Sequence, residues 1–384
     1  MKLLHDLAAV LSRLTDADIH KFCVFHEKYR PHFASISAEL YDHLDAADQA
    51  RFVVWFLKRW GKIDVINRDE AGLYLKKIQS VRDEPRPCET LNGTVYHLRD
   101  FASQGCDFKL LGYEWVLGVH DVYYNQYEHR NVTLAPGDVI IDAGAFIGDT
   151  AVLFRHKLGG HCEIHSFELL DENLALLQHN LERNGAVDGP GKVVINKIAL
   201  TDVTGGEIVI APGRSQGATS IFGQDAGGDR VGTVTLDDYV RQNNLPRVDF
   251  IKMDIEGAEL PALHGARETI RRFKPRLAIC LYHKWDDAIT IPKFIRSLGV
   301  SYSFSFKWVQ LIDGWEAVLL AAPADGQHPP PAHDAAPSTD SLPATLGALT
   351  KAYLKKHAQA DALWREKLLA GQSQPATAPV LTGL

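Results

Sequence analysis

The fold of this chain is decided by the stretch Asp142-Ala143-Gly144-Ala145-Phe146-Ile147-Gly148-Asp149-Thr150. It follows the apolar run Val139-Ile140-Ile141 and precedes a helical stretch that starts at about residue 148. Gly144 allows the backbone to turn sharply after the strand, and Gly148 allows the loop and the helix start to approach a ligand. A strand, a glycine-containing turn and a helix in this order are typical of an open α/β sheet that binds its ligand at the strand ends.

The spacing within this loop distinguishes between two classes of cofactor. A nicotinamide-binding fingerprint is G-x-G-x-x-G, in which the helix N-terminus holds a pyrophosphate. Here the spacing is D-x-G-x-x-x-G, which lacks the middle glycine and places Asp142 at the beginning of the loop. Because a carboxylate suits a cationic amino group better than a phosphate, the loop favours S-adenosylmethionine over NAD. A tight turn with no ligand is the structural alternative.

Four further apolar runs alternate with helical segments after this loop. They are predicted to be strands at 164–167, 193–195, 248–253 and 277–281. Alternation of strands with helices indicates a parallel sheet that is covered by helices on both faces. The expected fold class is therefore α/β.

Acidic residues follow two of these strands. Glu168 closes the second strand, where a carboxylate can accept hydrogen bonds from both hydroxyls of a ribose. Asp254, Glu256 and Glu259 cluster after the fourth strand and could hold a substrate, orient a base or bind a divalent ion through oxygen ligands. Carboxylates that only stabilise a helix N-terminus are the alternative for this cluster.

These motifs together resemble the FkbM family of S-adenosylmethionine-dependent methyltransferases. The most distinctive match is Lys252-Met253-Asp254-Ile255-Glu256-Gly257-Ala258-Glu259, and the similarity covers roughly residues 120 to 320. The other matching segments are 142–150, 167–168, 180–185, 217–221, 234–239, 248–251 and 263–266. Tyr282-His283-Lys284 departs from the acid-then-His ending that is more typical of the family at the fifth strand.

The resemblance implies a class I methyltransferase fold, which is a Rossmann-like seven-stranded sheet with one antiparallel strand and helices on both faces. It also implies O-methylation of a hydroxyl on a sugar, a polysaccharide or a secondary metabolite, with S-adenosylmethionine as the cofactor. Two alternatives stay open at this point. One is a methyltransferase that acts on another protein, and the other is a catalytically silent module that only binds the cofactor.

The predicted site has two parts. The residues expected to bind the cofactor are Asp142, Gly144, Ala145, Phe146, Gly148, Asp149, Thr150, Glu168, Asn173, Ala199 and Asp254. The residues expected to be catalytic are His283, Asp254 and Lys252. No metal ligand is assigned with certainty, although Asp254 is a candidate for a divalent ion.

His283 is the leading candidate for the general base. Its reference pKa of ~6.5 leaves it mostly neutral at pH 7, and it closes a strand on the expected ligand-binding edge. Asp286 or Asp287 is expected to orient it, because both follow within a few residues. A structural or solvated histidine is the alternative, and Lys252 with Asp254 is then the acid–base or metal set.

The sequence divides into five segments. They are a helical N-terminal cap at 1–85, a mixed connecting segment at 86–135, the methyltransferase domain at 136–322, a Pro/Ala-rich linker at 323–345, and a C-terminal helix and tail at 346–384. Within the cap, Thr15 with Asp18 resembles a capping box, and Asp45 is expected to cap another helix that ends at Gly61. The segment from Pro323 is expected to be dispensable for folding.

Composition limits the partners of the chain. The 384 residues carry 41 basic and 48 acidic side chains, a formal charge of −7, and no long basic run, which argues against nucleic-acid binding. Five widely separated cysteines argue against a disulfide framework or a structural zinc site and fit a cytoplasmic protein. No apolar run is long enough for a membrane span, and Asp6 comes too early for a secretory signal. The expected partner is a small-molecule or saccharide acceptor, and a homo-oligomer stays open.

Overall fold

The protein is described by a computed structural model over residues 2–10, 14–187, 191–210 and 229–324. The C-terminal helix and tail expected at 346–384, most of the linker expected at 323–345 and the matching segment at 217–221 lie outside these residues. Pro323 itself is the last residue of a β-strand, and the backbone N–H of Ala324 donates to Ser301 O at 2.9 Å.

The N-terminal part is helical, as the sequence predicts. Its helices are α1 (Lys2–Val10), α2 (Asp16–Tyr29), α3 (Phe33–Glu39), α4 (Ala46–Gly61) and α5 (Arg68–Arg82). The Asp45 carboxylate caps α4 by accepting from the N–H groups of Ala47 and Asp48, both at 3.0 Å, which confirms the predicted cap. Thr15 also occupies an N-cap position, but its hydroxyl donates to the Asp18 carboxylate at 2.5 Å instead of accepting from the helix.

A small antiparallel sheet follows the helices. It consists of β1 (Cys88–Leu91), β2 (Thr94–Asp100) and β3 (Lys109–Gly112), with the turn Asn92-Gly93 between the first two strands. The first two strands therefore form a short hairpin within the connecting segment. A single π-helical turn, Val119–Tyr123, then leads towards the central sheet.

The remaining strands and helices form the central α/β unit. The strands are β4 (Asp138–Ala143), β5 (Cys162–Phe167), β6 (Val193–Asn196), β7 (Ala199–Leu200), β8 (Glu207–Ile210), β9 (Asp229–Val234), β10 (Phe250–Met253), β11 (Arg276–Cys280), β12 (Tyr302–Trp308) and β13 (Ala317–Pro323). The helices are α6 (Asp149–Lys157), α7 (Asp171–Arg183), α8 (Leu236–Gln242), α9 (Glu259–His264), α10 (Arg267–Phe273) and α11 (Asp287–Ser297).

The central sheet has seven strands in the order β12-β13-β11-β10-β4-β5-β6. Only β13 runs against its neighbours, since it pairs antiparallel with both β11 and β12. This arrangement confirms the class I methyltransferase fold that the sequence predicts. Strands such as β4 are buried at every position, because a parallel sheet covered on both faces leaves no side of the strand in water.

The N-terminal helices pack on one edge of this sheet. The rings of Phe52 and Trp55 on α4 lie 5.3 and 5.2 Å from the ring of Phe306 on β12. The Arg59 guanidinium, near the end of α4, donates through Nε and Nη2 to Tyr282 O at 3.0 and 2.8 Å. Tyr282 lies two residues after the end of β11. Through Arg59, α4 therefore contacts the backbone at the carboxyl end of the sheet.

Candidate active site

A cleft of about 660 Å³ opens at the carboxyl ends of the parallel strands. At one end it is lined by residues that follow β5 and β6, including Glu168, Asn173 and Ala199. At the other end it is lined by Asp254 and Tyr282, which follow β10 and β11. The loop after β4 lies between these two ends, so the chemistry-bearing positions predicted from separate strands share one cavity.

The loop after β4 needs glycine at two positions for steric reasons. Gly144 has φ +83°, and a Cβ atom there would lie 1.8 Å from the carbonyl oxygen of Asp254. Gly148 has φ +86°, and a Cβ atom there would lie 2.6 Å from Leu177 Cδ1. Gly144 lines the cleft, whereas Gly148 and Ala145 do not. Gly144 therefore allows the loop to lie against the residue after β10. Gly148 allows the loop to pack against α7 and does not contact the cleft.

Asp142 is buried and links the end of β4 to the start of α6 and to β10. Its carboxylate accepts from Thr150 Oγ1 at 2.9 Å and lies 3.1 Å from Lys252 Nζ. Lys252 also donates to the carbonyl oxygen of Gly144 at 2.5 Å. Burial opposes the charge of Lys252, but the Asp142 and Asp254 carboxylates raise its pKa above the usual range. Asp142 does not line the cleft, whereas Asp149, Thr150 and Lys252 do.

Glu168 lies at the end of β5 with its carboxylate against backbone donors. Its Oε1 atom accepts from the N–H groups of Leu169 and Leu170 at 2.6 and 2.9 Å. Burial raises the pKa of Glu168, and these hydrogen bonds oppose that effect. The neighbouring Asn173 is buried and accepts from the Tyr113 hydroxyl at 2.8 Å. Both side chains line the cleft, so this end presents oriented oxygen atoms to a ligand.

Asp254 is held by two tyrosine hydroxyls. Tyr127 donates to its Oδ2 atom at 2.8 Å and Tyr282 donates to its Oδ1 atom at 2.7 Å. Burial alone would raise the pKa of Asp254, but the charges of His283 and Lys252 and both hydrogen bonds lower it. The residue is thus a fixed carboxylate on the wall of the cleft.

His283 lies next to this carboxylate, with only 4% of its side chain exposed. Its Nδ1 atom is 2.9 Å from Glu259 Oε1, and its Nε2 atom is 3.4 Å from Glu256 Oε2 and 3.5 Å from Asp254 Oδ1. Although burial opposes the charge, Glu259 and the other carboxylates raise the pKa of His283 to about 10. The expectation of a neutral imidazole at pH 7 is corrected by this environment.

The expected orienting partner of His283 is corrected as well. Asp287 accepts instead from the backbone N–H of Lys284 at 2.7 Å, and Asp286 precedes the first residue of α11. The carboxylate beside the ring belongs to Glu259, which comes from α9 after the neighbouring strand β10. A contact between two loops that follow adjacent strands cannot be read from distance along the chain.

Several residues of the cleft were not predicted from the sequence. They are Tyr74, Trp115, Asp121, Gln126, Tyr127 and Glu316. Tyr127 and Gln126 belong to an aromatic-rich stretch before β4, and this was the only signal that could have indicated them. Gln126 donates to the Glu316 carboxylate at 2.5 Å, and burial raises the pKa of Glu316 to about 7.

Acidic groups dominate the wall of the cleft. They are Asp121, Asp149, Glu168, Asp254, Glu256 and Glu316, and the basic residues on the same wall are Arg82 and Lys252. Burial raises the pKa of Asp149 to about 6 despite the opposing charge of Lys252, and burial raises the pKa of Asp121 further. Because a nearby positive charge favours the ionised form of each carboxyl group, a cavity of this composition suits a cationic ligand better than a phosphate.

The comparison with known protein families decides the class. Residues 142–304 match the family model described as the methyltransferase FkbM domain. This segment is similar to methyltransferase FkbM domains. The match includes the loop after β4, Glu168, Asp254 and His283, so it covers part of the lining of the cleft described above. It confirms the family resemblance predicted from the sequence.

Solved structures also resemble the chain. The methyltransferase FkbM from Methylobacillus flagellatus KT is 24% identical, with 54% of this chain and 53% of that chain covered and a TM-score of 0.40. Fibrillarin from Aeropyrum pernix, in complex with S-adenosyl-L-methionine, is 11% identical over 63% of this chain and 86% of that chain, with a TM-score of 0.35. The chain thus spans about half the length of the first of these structures.

A search among curated proteins and an inspection of the helices for a membrane span were both negative. No curated protein matches the sequence. Among the helices of the described residues, none combines the length and the apolar character that a bilayer crossing requires.

Proposed function

We propose that this methyltransferase uses S-adenosylmethionine to methylate a hydroxyl oxygen of a sugar, a polysaccharide or a secondary metabolite. The observation that supports this most strongly is the arrangement of Glu168 and Asp254 on one cleft, with the loop around Gly144 between them. One end offers hydrogen-bond acceptors for a ribose, and the other offers a fixed carboxylate for an acceptor hydroxyl.

The residues of the cleft fit the cofactor in shape and in charge. Glu168 would accept hydrogen bonds from the ribose hydroxyls, and Asp149 would face the amino group. The other predicted contacts that line the cleft are Gly144, Phe146, Thr150, Asn173 and Ala199. The acidic wall suits a ligand that carries both an ammonium and a sulfonium group. When bound, S-adenosylmethionine supplies an activated methyl group.

Positioning of the acceptor is the main task of the protein in this proposal. Orientation of two reactants can contribute about 7–11 kcal/mol to a rate acceleration, against ~10²–10⁴-fold from a general base. Asp254, fixed by Tyr127 and Tyr282, would help to position the acceptor, whose hydroxyl proton is left for the general base. Lys252 would hold the loop through Gly144 O and Asp142, and not act as an acid or base.

The proton acceptor in this proposal is Glu316 in place of His283. Glu316 lines the cleft and its pKa of about 7 matches what a general base needs near neutral pH. His283 does not line the cleft and lies among carboxylates that favour its protonated form. The proposal extends to a cytoplasmic location, which the five scattered cysteines support, and to the five predicted segments, which the changes in composition along the chain support.

Substitution of Glu168 tests the assignment of the cofactor end. Hydrogen bonds to a charged group contribute about 1.5–3 kcal/mol each, so Glu168→Ala, which removes two, should weaken S-adenosylmethionine binding by ~100-fold or more. Isothermal titration calorimetry measures this directly. Glu182→Ala, an exposed change on α7 that only releases Gln178, is the matched control and should bind as the wild type does. Equal affinity of the Glu168→Ala and wild-type proteins would refute the ribose assignment.

A further inference from the structure

We infer that Asp254, Glu256 and His283 form a binding site for one divalent first-row transition-metal ion, with Mn²⁺ as the probe, at the Asp254 end of the cleft. Each of the three residues offers one ligand atom, and these atoms all lie within 4.8 Å of one another. The site goes beyond the proposed methyl transfer, because binding of the ion needs neither the cofactor nor an acceptor.

The distances within the cluster suit a shared ion. Two ligand atoms that are each about 2.1 Å from one metal are separated by roughly 3.0–3.4 Å when they subtend 90–110°. His283 Nε2 lies 3.4 Å from Glu256 Oε2 and 3.5 Å from Asp254 Oδ1. The two pairs that include His283 therefore match the spacing of ligands around one ion, and the third pair lies within 4.8 Å.

The Nε2 atom of His283 is a buried polar atom that needs a partner. The side chain is 4% exposed, and within the described part of the chain Nε2 accepts or donates no hydrogen bond of acceptable geometry. It nevertheless points at two carboxylate oxygens. A divalent cation would displace the ring proton at this nitrogen and would be held by both carboxylates and the imidazole together.

The surroundings of the three ligands resemble the supporting groups of known metal sites. Histidine ligands commonly use their second ring nitrogen on a carboxylate, which fixes the ring and increases its basicity. Here Glu259 Oε1 lies at an ion-pair distance of 2.9 Å from His283 Nδ1, which like Nε2 makes no hydrogen bond of acceptable geometry within the described residues, and Glu259 accepts from the backbone N–H of Ile255 at 2.9 Å. The hydroxyls of Tyr127 and Tyr282 orient the Asp254 carboxylate in the same way.

The site has an open side towards the cleft. Asp254 and Glu256 line the cleft, whereas His283 lies outside the lining. An ion held by these three groups would keep free coordination positions on the cleft side, where an oxygen atom of an acceptor could bind. This role in acceptor positioning rests on the proposed function, whereas binding of the ion does not.

The ligand atoms select the class of ion. Calcium and magnesium prefer sites made of oxygen atoms, and thiolate-rich sites select zinc or copper. One imidazole nitrogen with two carboxylate oxygens and open positions is suited to a divalent first-row ion with mixed nitrogen and oxygen preference. The sequence suggests a carboxylate cluster of Asp254, Glu256 and Glu259, and the structure replaces Glu259 by His283 as the third ligand.

The test is a titration of the full chain with Mn²⁺ alone, followed by electron paramagnetic resonance. The protein is first stripped with a chelator, and no S-adenosylmethionine is present, so the result is independent of the proposed methyl transfer. We expect saturation at one Mn²⁺ per chain, with hyperfine coupling to a ¹⁴N nucleus from His283. Absence of bound Mn²⁺ up to about 1 mM would overturn the inference, since it would correspond to less than ~4 kcal/mol of binding free energy.

Three variants assign the ligands. We expect His283→Gln to lose the ¹⁴N coupling and at least tenfold in Mn²⁺ affinity, and Glu256→Gln to lose affinity but keep the coupling. Glu168→Gln changes a carboxylate at the other end of the same cleft and should bind Mn²⁺ as the wild type does. Retention of the ¹⁴N coupling in His283→Gln, or an equal loss of affinity in Glu168→Gln, would refute the site. If His283→Gln does not fold, the wild-type coupling and the Glu256→Gln and Glu168→Gln affinities decide.

Discussion

At the scale of single residues, burial controls the charge of His120. This residue lies in the π-helical turn Val119–Tyr123, where its Nε2 atom is 2.8 Å from the Tyr74 hydroxyl. Burial lowers the pKa of His120 to about 4. The ring is therefore neutral in the folded protein across a pH range in which the unfolded chain, with a pKa of ~6.5, is protonated.

This difference predicts a loss of stability in acid. Between pH 6.5 and 4 the unfolded state binds a proton at this position that the folded state does not, so the free energy of unfolding falls as the pH falls through this range. Urea unfolding at pH 7.5 and pH 5 should show a smaller difference for His120→Gln than for the wild type. His5→Gln, which changes an exposed histidine of α1, is the control and should keep the wild-type difference. A wild-type difference in the His120→Gln protein would contradict the prediction.

The same scale shows what a sequence alone leaves undetermined. The residues Glu168 and Asp254 could be predicted because each follows a clear apolar strand, and strand ends meet at one edge of a parallel sheet. The partners of His283 could not be predicted, because Glu259 approaches it from another loop whose position depends on the packing of α9. The role of Asp142 was equally hidden, since its pairing with Lys252 depends on the register between β4 and β10.

At the scale of elements, the N-cap residues of α2 and α4 allow the energetic effect of a capping side chain to be compared. The Asp45 carboxylate accepts from two N–H groups of α4 and also pairs with Arg130, whereas the Thr15 side chain makes no capping hydrogen bond to α2. Loss of a cap typically costs about 1 kcal/mol. Asp45→Ala should therefore lower the Tm by about 1–2 °C in a chain of this size, and Thr15→Ala should lower it less. Differential scanning calorimetry measures both, and an equal or larger effect of Thr15→Ala would contradict this account.

Elements differ in how well the sequence predicts them. The strands β4, β10 and β11 contain short apolar runs buried at nearly every position, and β5 is buried over its last four residues, so these strands could be recognised. The small sheet β7-β9-β8 could not be recognised, because β7 has only two residues. It pairs with β9 through residues that lie more than 30 positions later in the sequence. The π-helical turn also has no periodic apolar pattern, although it brings Asp121 to the cleft.

At the scale of the whole molecule, the N-terminal helices and the methyltransferase domain share one hydrophobic core. Besides the Arg59 contact with Tyr282, the Trp55 indole donates to Gly314 O at 2.9 Å, two residues before Glu316. Tyr74 on α5 lines the cleft directly. The helical region that the sequence predicts as a cap therefore supports and partly lines the cleft, which no motif within it could indicate.

The central claim is that the cleft binds S-adenosylmethionine, and calorimetric titration of the full chain with S-adenosylmethionine and, separately, with NAD tests it most directly. The D-x-G-x-x-x-G loop, the acidic wall and the position of Glu168 predict one molecule of S-adenosylmethionine bound per chain and a much weaker response to NAD. Binding of NAD in preference to S-adenosylmethionine, or no binding of S-adenosylmethionine, would contradict the account.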